Sequence, residues 1–426
     1  MDQKVLGLKA FLDQAHSVYH AQHYLVKCLE DAGYTYLPES RQWELTAGGK
    51  YYTTRGGSAV LAFRVPKTLE GGFMMSASHS DRPTFKLKEN GELKGTYTRL
   101  ATEKYGGMLM APWLDRPLSV AGRVLVETEK GVESRLIDID RDLMLIPNVA
   151  IHMNRKANDG FAYNPTTDTV PLLGGKNAAG KLDQLLQEAA GGKILGHDLY
   201  LYVRQSASIW GVEEEYISSP ALDDLECAWG CTQGFLNARE SGAIPVLCVF
   251  DSEEVGSNST QGAASMLLAD TLQRICGGLG LNLQQMLSQS FMVSADNAHA
   301  VHPNHPEYAD PQNAPVLGEG VVLKYNAAQR YTTDGVSAAI FRKVCGRAGV
   351  PVQSYYNRAD LPGGSTLGHI SLTHVSVPTA DIGLAQLAMH SCYETAACAD
   401  AVYLQDAMAE YYSLCMLEDG GSYTLK

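Results

Sequence analysis

Val246-Leu247-Cys248-Val249-Phe250 is a run of five apolar residues that stops abruptly at Asp251-Ser252-Glu253-Glu254. An unbroken apolar run of this length predicts a strand buried on both faces, and such strands belong to parallel sheets covered by helices on each side. Residues 261–275 follow, with Ala263, Leu267, Leu268 and Leu272 on one helical face, so the unit reads strand, turn, helix. In open α/β sheets, ligands bind beyond the carboxyl ends of the strands, where Glu253 and Glu254 stand. Alone, two adjacent glutamates read as a solvated turn. They become a site only if something positive sits between or beside them.

The rest of the chain supplies similar strand ends. Residues 73–78 form a second short apolar run, which leads into His79-Ser80-Asp81-Arg82. An aspartate two residues beyond a histidine can orient the imidazole and raise its basicity. Helices are predicted at 6–15 and 18–32, with Ser17 capping the second and Gly33 ending it. His16, His20 and His23 there read as surface histidines of a helix without acidic partners. Residues 51–64 read as a hairpin turning at Arg55-Gly56-Gly57.

From residue 89 to 219 the strand-helix alternation lapses. Residues 118–127 and 132–139 alternate apolar and polar around Glu129-Lys130-Gly131, which predicts an antiparallel hairpin. Residues 149–153 read as a further strand, 158–171 as loop, and 199–203 as a closing strand. The alternation then resumes, with helices at 223–235, 261–275 and 399–416 and strands at 291–294 and 378–384. The predicted organisation is an α/β domain made of 1–88 and 220–426, interrupted by a mostly-β domain at 89–219.

Composition excludes several function classes. A chain of 426 residues exceeds one ordinary domain. A formal net charge of −13 argues against nucleic acid or an anionic membrane as partner. The N-terminus lacks a signal-peptide layout, and no apolar run approaches the roughly 18 residues of a membrane span. The nine scattered cysteines read as reduced thiols of a cytoplasmic protein. Cys227 and Cys231 lie one helical turn apart but lack the second pair that a zinc knuckle needs.

Five features recur at strand ends or strand-to-helix joints: His79 with Asp81, Asp223 with Asp224, Glu253 with Glu254, Asp296, and His390. A rim so rich in carboxylates has a divalent metal as its natural counterion, and mixed histidine and carboxylate ligands suit Zn²⁺, Co²⁺ or Mn²⁺ better than Mg²⁺ or Ca²⁺. The donors suffice for two ions. One bridging aspartate with one histidine and one carboxylate per ion uses His79, Asp223, Asp296, Glu254 and His390, and leaves Glu253 free. Two ions about 3.5–4 Å apart can hold a hydroxide between them and polarise a carbonyl. A free carboxylate beside that water can move its proton to a leaving amine. His299, His302 and His305 form another cluster, but Pro303 and Pro306 prevent a helix presenting them on one face, so they read as loop, with His299 still able to approach the site from Asp296. Residues 361–368 lack the Lys-Ser/Thr ending of a phosphate loop and read as a glycine-rich wall of a substrate cleft.

The order and spacing of these motifs resemble the aspartyl aminopeptidases, metallopeptidase family eighteen. The resemblance rests on Tyr19-His20-Ala21, His79-Ser80-Asp81, Leu222-Asp223, Asp251 to Ser257, Ser294 to Pro303, Lys324-Tyr325-Asn326 and Gln386 to Ser391. It implies a three-layer αβα metallopeptidase domain with an inserted β-rich dimerisation domain, and dimers assembling into a tetrahedral dodecamer. It implies one zinc on His79, Asp223 and Asp296 and another on Asp223, Glu254 and His390, with Glu253 as general base and Asp81 orienting His79. By the same resemblance His152 reaches a neighbour's active site and Lys324 recognises an acidic substrate side chain. The chain departs from the family at Asp224, where many members carry Asn, and at Arg82, where a small residue is common. The expected activity is removal of an N-terminal residue, Asp or Glu, from peptides. The competing expectations are a related dinuclear deacylase and a non-catalytic assembly protein that kept the fold.

Overall fold

The computed structural model describes residues 2–361 and 363–426. A nine-stranded sheet forms the centre of the larger unit. Its strand order is Thr35–Tyr36, Lys50–Arg55, Ala59–Arg64, Ile244–Phe250, Phe73–His79, Phe291–Ala295, Thr379–Gly383, Val321–Tyr325 and Val352–Tyr356. The four strands Ile244–Phe250, Phe73–His79, Phe291–Ala295 and Thr379–Gly383 run parallel, so their carboxyl ends share one rim.

Why the apolar run is a strand follows from where its residues go. Leu247 and Val249 pack into one core, and Ile244, Val246, Cys248 and Phe250 into the other. A period of two therefore feeds both faces of the sheet, and both faces must be apolar. The first core is closed by the helices Gln3–Leu12, Val18–Asp31, Leu222–Asn237, Gly335–Ala348 and Cys398–Tyr412. Leu267–Leu279 and its neighbours close the second. The result is three layers, helix on sheet on helix.

Two of those helices approach unusually closely. A Cβ at Gly230 would overlap the Leu404 side chain, and one at Gly234 would overlap Met408 and stand 2.8 Å from its backbone carbonyl carbon. Only glycine at these positions lets Leu222–Asn237 lie against Cys398–Tyr412.

The predicted β-rich region is an antiparallel six-stranded sheet, in the order Gly131–Asp138, Leu118–Thr128, Ile194–Val203, Thr84–Leu93, Tyr97–Tyr105 and Leu172–Gly175. The helix Lys181–Ala190 covers one face with Leu182, Leu186 and Ala190. Along Ile194–Val203, Leu199, Leu201 and Val203 enter that core. Asp198, Tyr200 and Tyr202 alternate with them and face the larger unit. Arg123 there donates to Gly56 O and lies 4.5 Å over the Tyr19 ring.

Three local readings need correction. Residues 149–153 are an exposed turn, not a strand, with Val149, Ile151 and Met153 53%, 49% and 78% exposed. Among the described residues no strand pairs with them, and apolar alternation without a ladder leaves the backbone unsatisfied. The helix expected from 261 begins at Leu267, because Gln261 and Gly262 are held in turns: Gln261 O accepts from Asp251 N, and Gly262 packs on Ser257. His16 has an acidic partner after all. Its Nδ1 lies 2.6 Å from Asp138 Oδ2, and its ring stacks on Tyr202 at 4.1 Å. Asp138 is 122 residues away, so nothing in the local sequence announces the pair.

A five-stranded sheet lies beyond the carboxyl rim, in the order Ser208–Trp210, Tyr216–Ser219, Glu394–Ala397, Ala385–Leu387 and Ala298–His299. Among the described residues no helix is long and apolar enough to cross a membrane.

Candidate metal centre

The parallel rim and the small sheet bring the predicted residues together. His79 is the last residue of its strand and pairs in register with Phe250. Asp296 follows Ala295 directly, and the turn after Phe250 carries Glu253 and Glu254. Asp223 follows the strand Tyr216–Ser219, and His390 sits between the paired strands Ala385–Leu387 and Glu394–Ala397. Potential ligand atoms fall into three groups: His79, Asp223, Asp224 and Asp296; His79, Glu253 and Glu254; and Asp223, Glu254 and His390. Within each group these atoms lie within 4.8 Å of one another.

Asp223 stands between the two histidines. Its Oδ1 is 3.7 Å from His79 Nε2 and its Oδ2 is 3.4 Å from His390 Nε2. Glu254 Oε2 is also 3.4 Å from His390 Nε2. Asp223 Oδ1, Asp224 Oδ1 and Glu254 Oε1 are buried with no hydrogen-bond partner among the described residues. Orphaned buried carboxylate oxygens facing imidazole nitrogens are the donor set a divalent cation satisfies, so the residues present fit the group.

The electrostatics agree. Burial, followed by the charge of Asp223, pushes Glu254 well above the usual carboxylate range. Burial likewise raises Asp224 and Asp296, and pushes Glu253 up to about 8 against the pull of His79. Burial works against ionisation of Asp223 too, but its hydrogen bond to His390 and the charges of His79, His390 and Lys324 hold it below the ordinary value. The protein alone thus keeps several of these carboxyls from ionising, and a nearby dication would reverse that balance.

Asp81 has a wider role in the geometry than orienting one ring. Its Oδ1 accepts from Glu253 N at 3.1 Å and lies 3.3 Å from His79 Nδ1. Its Oδ2 accepts from Glu254 N at 3.1 Å and from the Tyr105 hydroxyl at 2.7 Å. One buried carboxylate therefore anchors the whole glutamate turn. His79 Nδ1 also lies 3.2 Å from the Asp81 carbonyl oxygen, so the ring has a second orienting acceptor.

Sequence reasoning missed two residues here. Glu394 accepts from Asp223 N at 2.9 Å through one oxygen and from His390 N at 2.7 Å through the other, and so holds the backbone of both. Its signal lay in pairing: Ser219 and Glu394 are register partners in the small sheet. Tyr105 reaches Asp81 from the β-rich unit, and no local pattern marks it. Backbone strain gathers at the same place. Of ten non-glycine residues with positive φ among the described residues, Ala221, Ser252, Ser257, Ala388 and His390 flank this cluster.

Of the other predicted residues, Lys324 adjoins the cluster, with its Nζ 3.7 Å from Asp296 Oδ2, and the rest stand apart. Lys324 is 1% exposed. It donates Nζ to Asp296 O at 2.5 Å and Asn297 O at 3.3 Å, and lies 5.1 Å over the Tyr331 ring. His152 is exposed on the 149–153 turn, outside every ligand group. His302 and His305 bridge one another in an exposed turn, and His305 pairs with Glu307. Of 361–368, Pro362 lies outside the described residues. Arg330 Nη1 donates to Gly363 O, and Thr366 Oγ1 to Asp381.

A three-layer α/β domain whose strand ends gather two histidines and five carboxylates defines a metal-dependent hydrolase. The profile described as "Aminopeptidase I zinc metalloprotease (M18)" matches residues 11–412. A Clostridium acetobutylicum protein named "Probable M18 family aminopeptidase 2" is 40% identical over 420 residues, covering 95% of this chain and 97% of that one. A solved complex of Ape4 with Nbr1 is 35% identical with a TM-score of 0.93, over 96% of this chain and 85% of that chain. A yeast mApe1 dodecamer, 24% identical with a TM-score of 0.85 over 96% of each chain, shares the fold. The chain belongs to the M18 family of aminopeptidases: it is a metalloaminopeptidase, and its family is one of zinc metalloproteases.

Proposed function

We propose that this protein removes the N-terminal residue of peptides, Asp or Glu by preference, with two zinc ions for both of which Asp223 would be a ligand. The observation carrying this reading is the position of the Asp223 carboxylate, with one oxygen toward His79 and the other toward His390. His79 and Asp296 would complete one ion's ligands, and Glu254 and His390 the other's. When bound, the ions supply Lewis acidity for activating water and polarising the scissile carbonyl.

The chain's own residues do the rest. Glu253 takes the proton of the attacking water and delivers it to the leaving amine nitrogen. Asp81 holds the backbone of Glu253 and Glu254 and so fixes base and ligand relative to each other. Glu394 does the same for Asp223 and His390. Lys324 donates to two backbone carbonyls and lies 3.7 Å from Asp296 Oδ2, and in this reading its third proton meets an acidic substrate side chain.

Residues 1–88 with 220–426 act in this reading as the catalytic unit and 89–219 as the dimerisation unit, although the sheet strands themselves run from Thr84 to Val203. The exposed apolar residues Val149, Ile151 and Met153 beside His152 suit a surface that packs on a second copy and carries His152 to its active site. A dodecamer in the cytoplasm is the proposed assembly and location, supported by the mApe1 dodecamer of the same fold.

The test is Glu253→Gln. The variant should bind two equivalents of zinc by elemental analysis and lose at least about 10²-fold in kcat. Wild-type activity with metal bound would refute the base role. Aspartyl and glutamyl amides turning over no faster than leucyl or lysyl ones would refute the substrate preference.

A further inference from the structure

A cavity of about 230 Å³ lies at the seam between the first helix, the β-rich unit and the segment leading to Pro220. Its lining includes His16, Arg82, Tyr202, Arg204, Gln205 and Ser206, and none of the residues of the metal cluster. The anomaly is Arg82. Its Nη2 is buried with no hydrogen-bond partner among the described residues. Glu394, Asp81 and Asp138 act on it as charges, not as hydrogen-bond partners.

Each nearby carboxylate is already committed. Asp138 takes His16 and the Tyr202 hydroxyl, Asp140 takes Arg204 Nε at 3.0 Å, and Asp13 takes Ala207 N at 2.7 Å and Lys9. Burial lowers the Arg82 guanidinium to about 10, which still leaves it a cation at neutral pH. Glu394, Asp81 and Asp138 answer the charge only at a distance, and the unpartnered Nη2 donor still lacks an acceptor, which an anion would supply. Gln205 gives its carboxamide oxygen to Arg116 Nη1 at 2.6 Å, which leaves its nitrogen as a donor, and the Ser206 hydroxyl stands beside it.

We propose that this cavity binds a small oxyanion, a carboxylate or inorganic phosphate, on the Arg82 guanidinium. The planar fork of arginine matches two oxygens of such an anion. The cavity exceeds one water's share of about 30 Å³ several-fold, so a few heavy atoms fit. Arg82 follows Asp81 in the chain, so the occupant sits one peptide from the anchor of the glutamate turn.

The experiment is calorimetric titration of the zinc-loaded protein with inorganic phosphate and, separately, with acetate and free glutamate, at constant ionic strength set by chloride. Crystals grown with the tightest of these locate it. Saturable binding of at least one oxyanion is expected, with density on Arg82 and a Kd raised at least tenfold in Arg82→Ala. Ser206→Trp fills the mouth of the cavity from an exposed position and should abolish the same binding, which keeps the test open if Arg82→Ala misfolds. Phosphate without carboxylate binding, or the reverse, identifies the source. No saturable binding, unchanged affinity in both variants, or density at the metal cluster alone overturns the proposal.

Discussion

Replacing Asp81 with asparagine separates two roles that coincide in one carboxylate. Asparagine keeps one acceptor oxygen. If its NH₂ takes the place of Oδ1, it meets both Glu253 N and His79 Nδ1. If it takes the place of Oδ2, the Tyr105 hydroxyl can rotate to accept, and only Glu254 N faces a donor. The second orientation wins. The loss is then one charge-assisted hydrogen bond at a buried site, about 1.5–3 kcal/mol. His79 keeps the Asp81 carbonyl at 3.2 Å, so its ring orientation survives. Expressed in the barrier, the loss lowers kcat roughly 10–150-fold, with KM little changed and zinc content intact. Steady-state kinetics with metal analysis of the purified variant measure this. Tyr105→Phe, which deletes one donor and leaves the carboxylate, should cost about 1 kcal/mol and less than tenfold in kcat. If Asp81→Asn instead loses zinc and regains full kcat at saturating metal, Asp81 acts through His79 and not through the glutamate turn.

Two further outcomes follow from packing and charge. Gly234→Ala forces a methyl onto the Met408 backbone, so calorimetry should show destabilisation of about 1–3 kcal/mol, and an unchanged or raised Tm would refute the close helix approach. Glu253 and Glu394 both lie near 8 against an ordinary 4.5. In metal-free protein the native state therefore holds protons that the unfolded chain releases above 4.5. That stability is present below 4.5 and lost as pH rises through 8. Chelated protein should lose Tm between pH 5 and 8.5, zinc-loaded protein much less. A chelated protein that gains Tm over this range contradicts the assignment.

Patterns that repeat along the chain were legible, because they reflect one residue's immediate neighbours. The run ending at Phe250 supplies both cores through its alternation, and that suffices to predict a parallel strand with a site at its end. The hairpin at 118–139 was equally plain. The strand reading at 149–153 failed because alternation shows what a segment can bury, not whether a partner strand exists. His16 was misread for a related reason, since its partner Asp138 belongs to another unit.

The sequence by itself determined the layered α/β class, the family, and the kinds of side chain that stand at strand ends. Period-two burial and the chemistry of histidine and carboxylate are local properties, and a single chain displays them. Only the tertiary structure decided that Asp81 anchors Glu253 and Glu254, that Glu394 ties Asp223 to His390, and that Tyr105 reaches in from the β-rich unit. It also decided that Arg82 Nη2 is buried with no hydrogen-bond partner among the described residues. Each of these depends on groups distant in sequence meeting in a low-dielectric interior. There a hydrogen bond or a missing counterion carries weight, and the order of residues along the chain does not record the meeting.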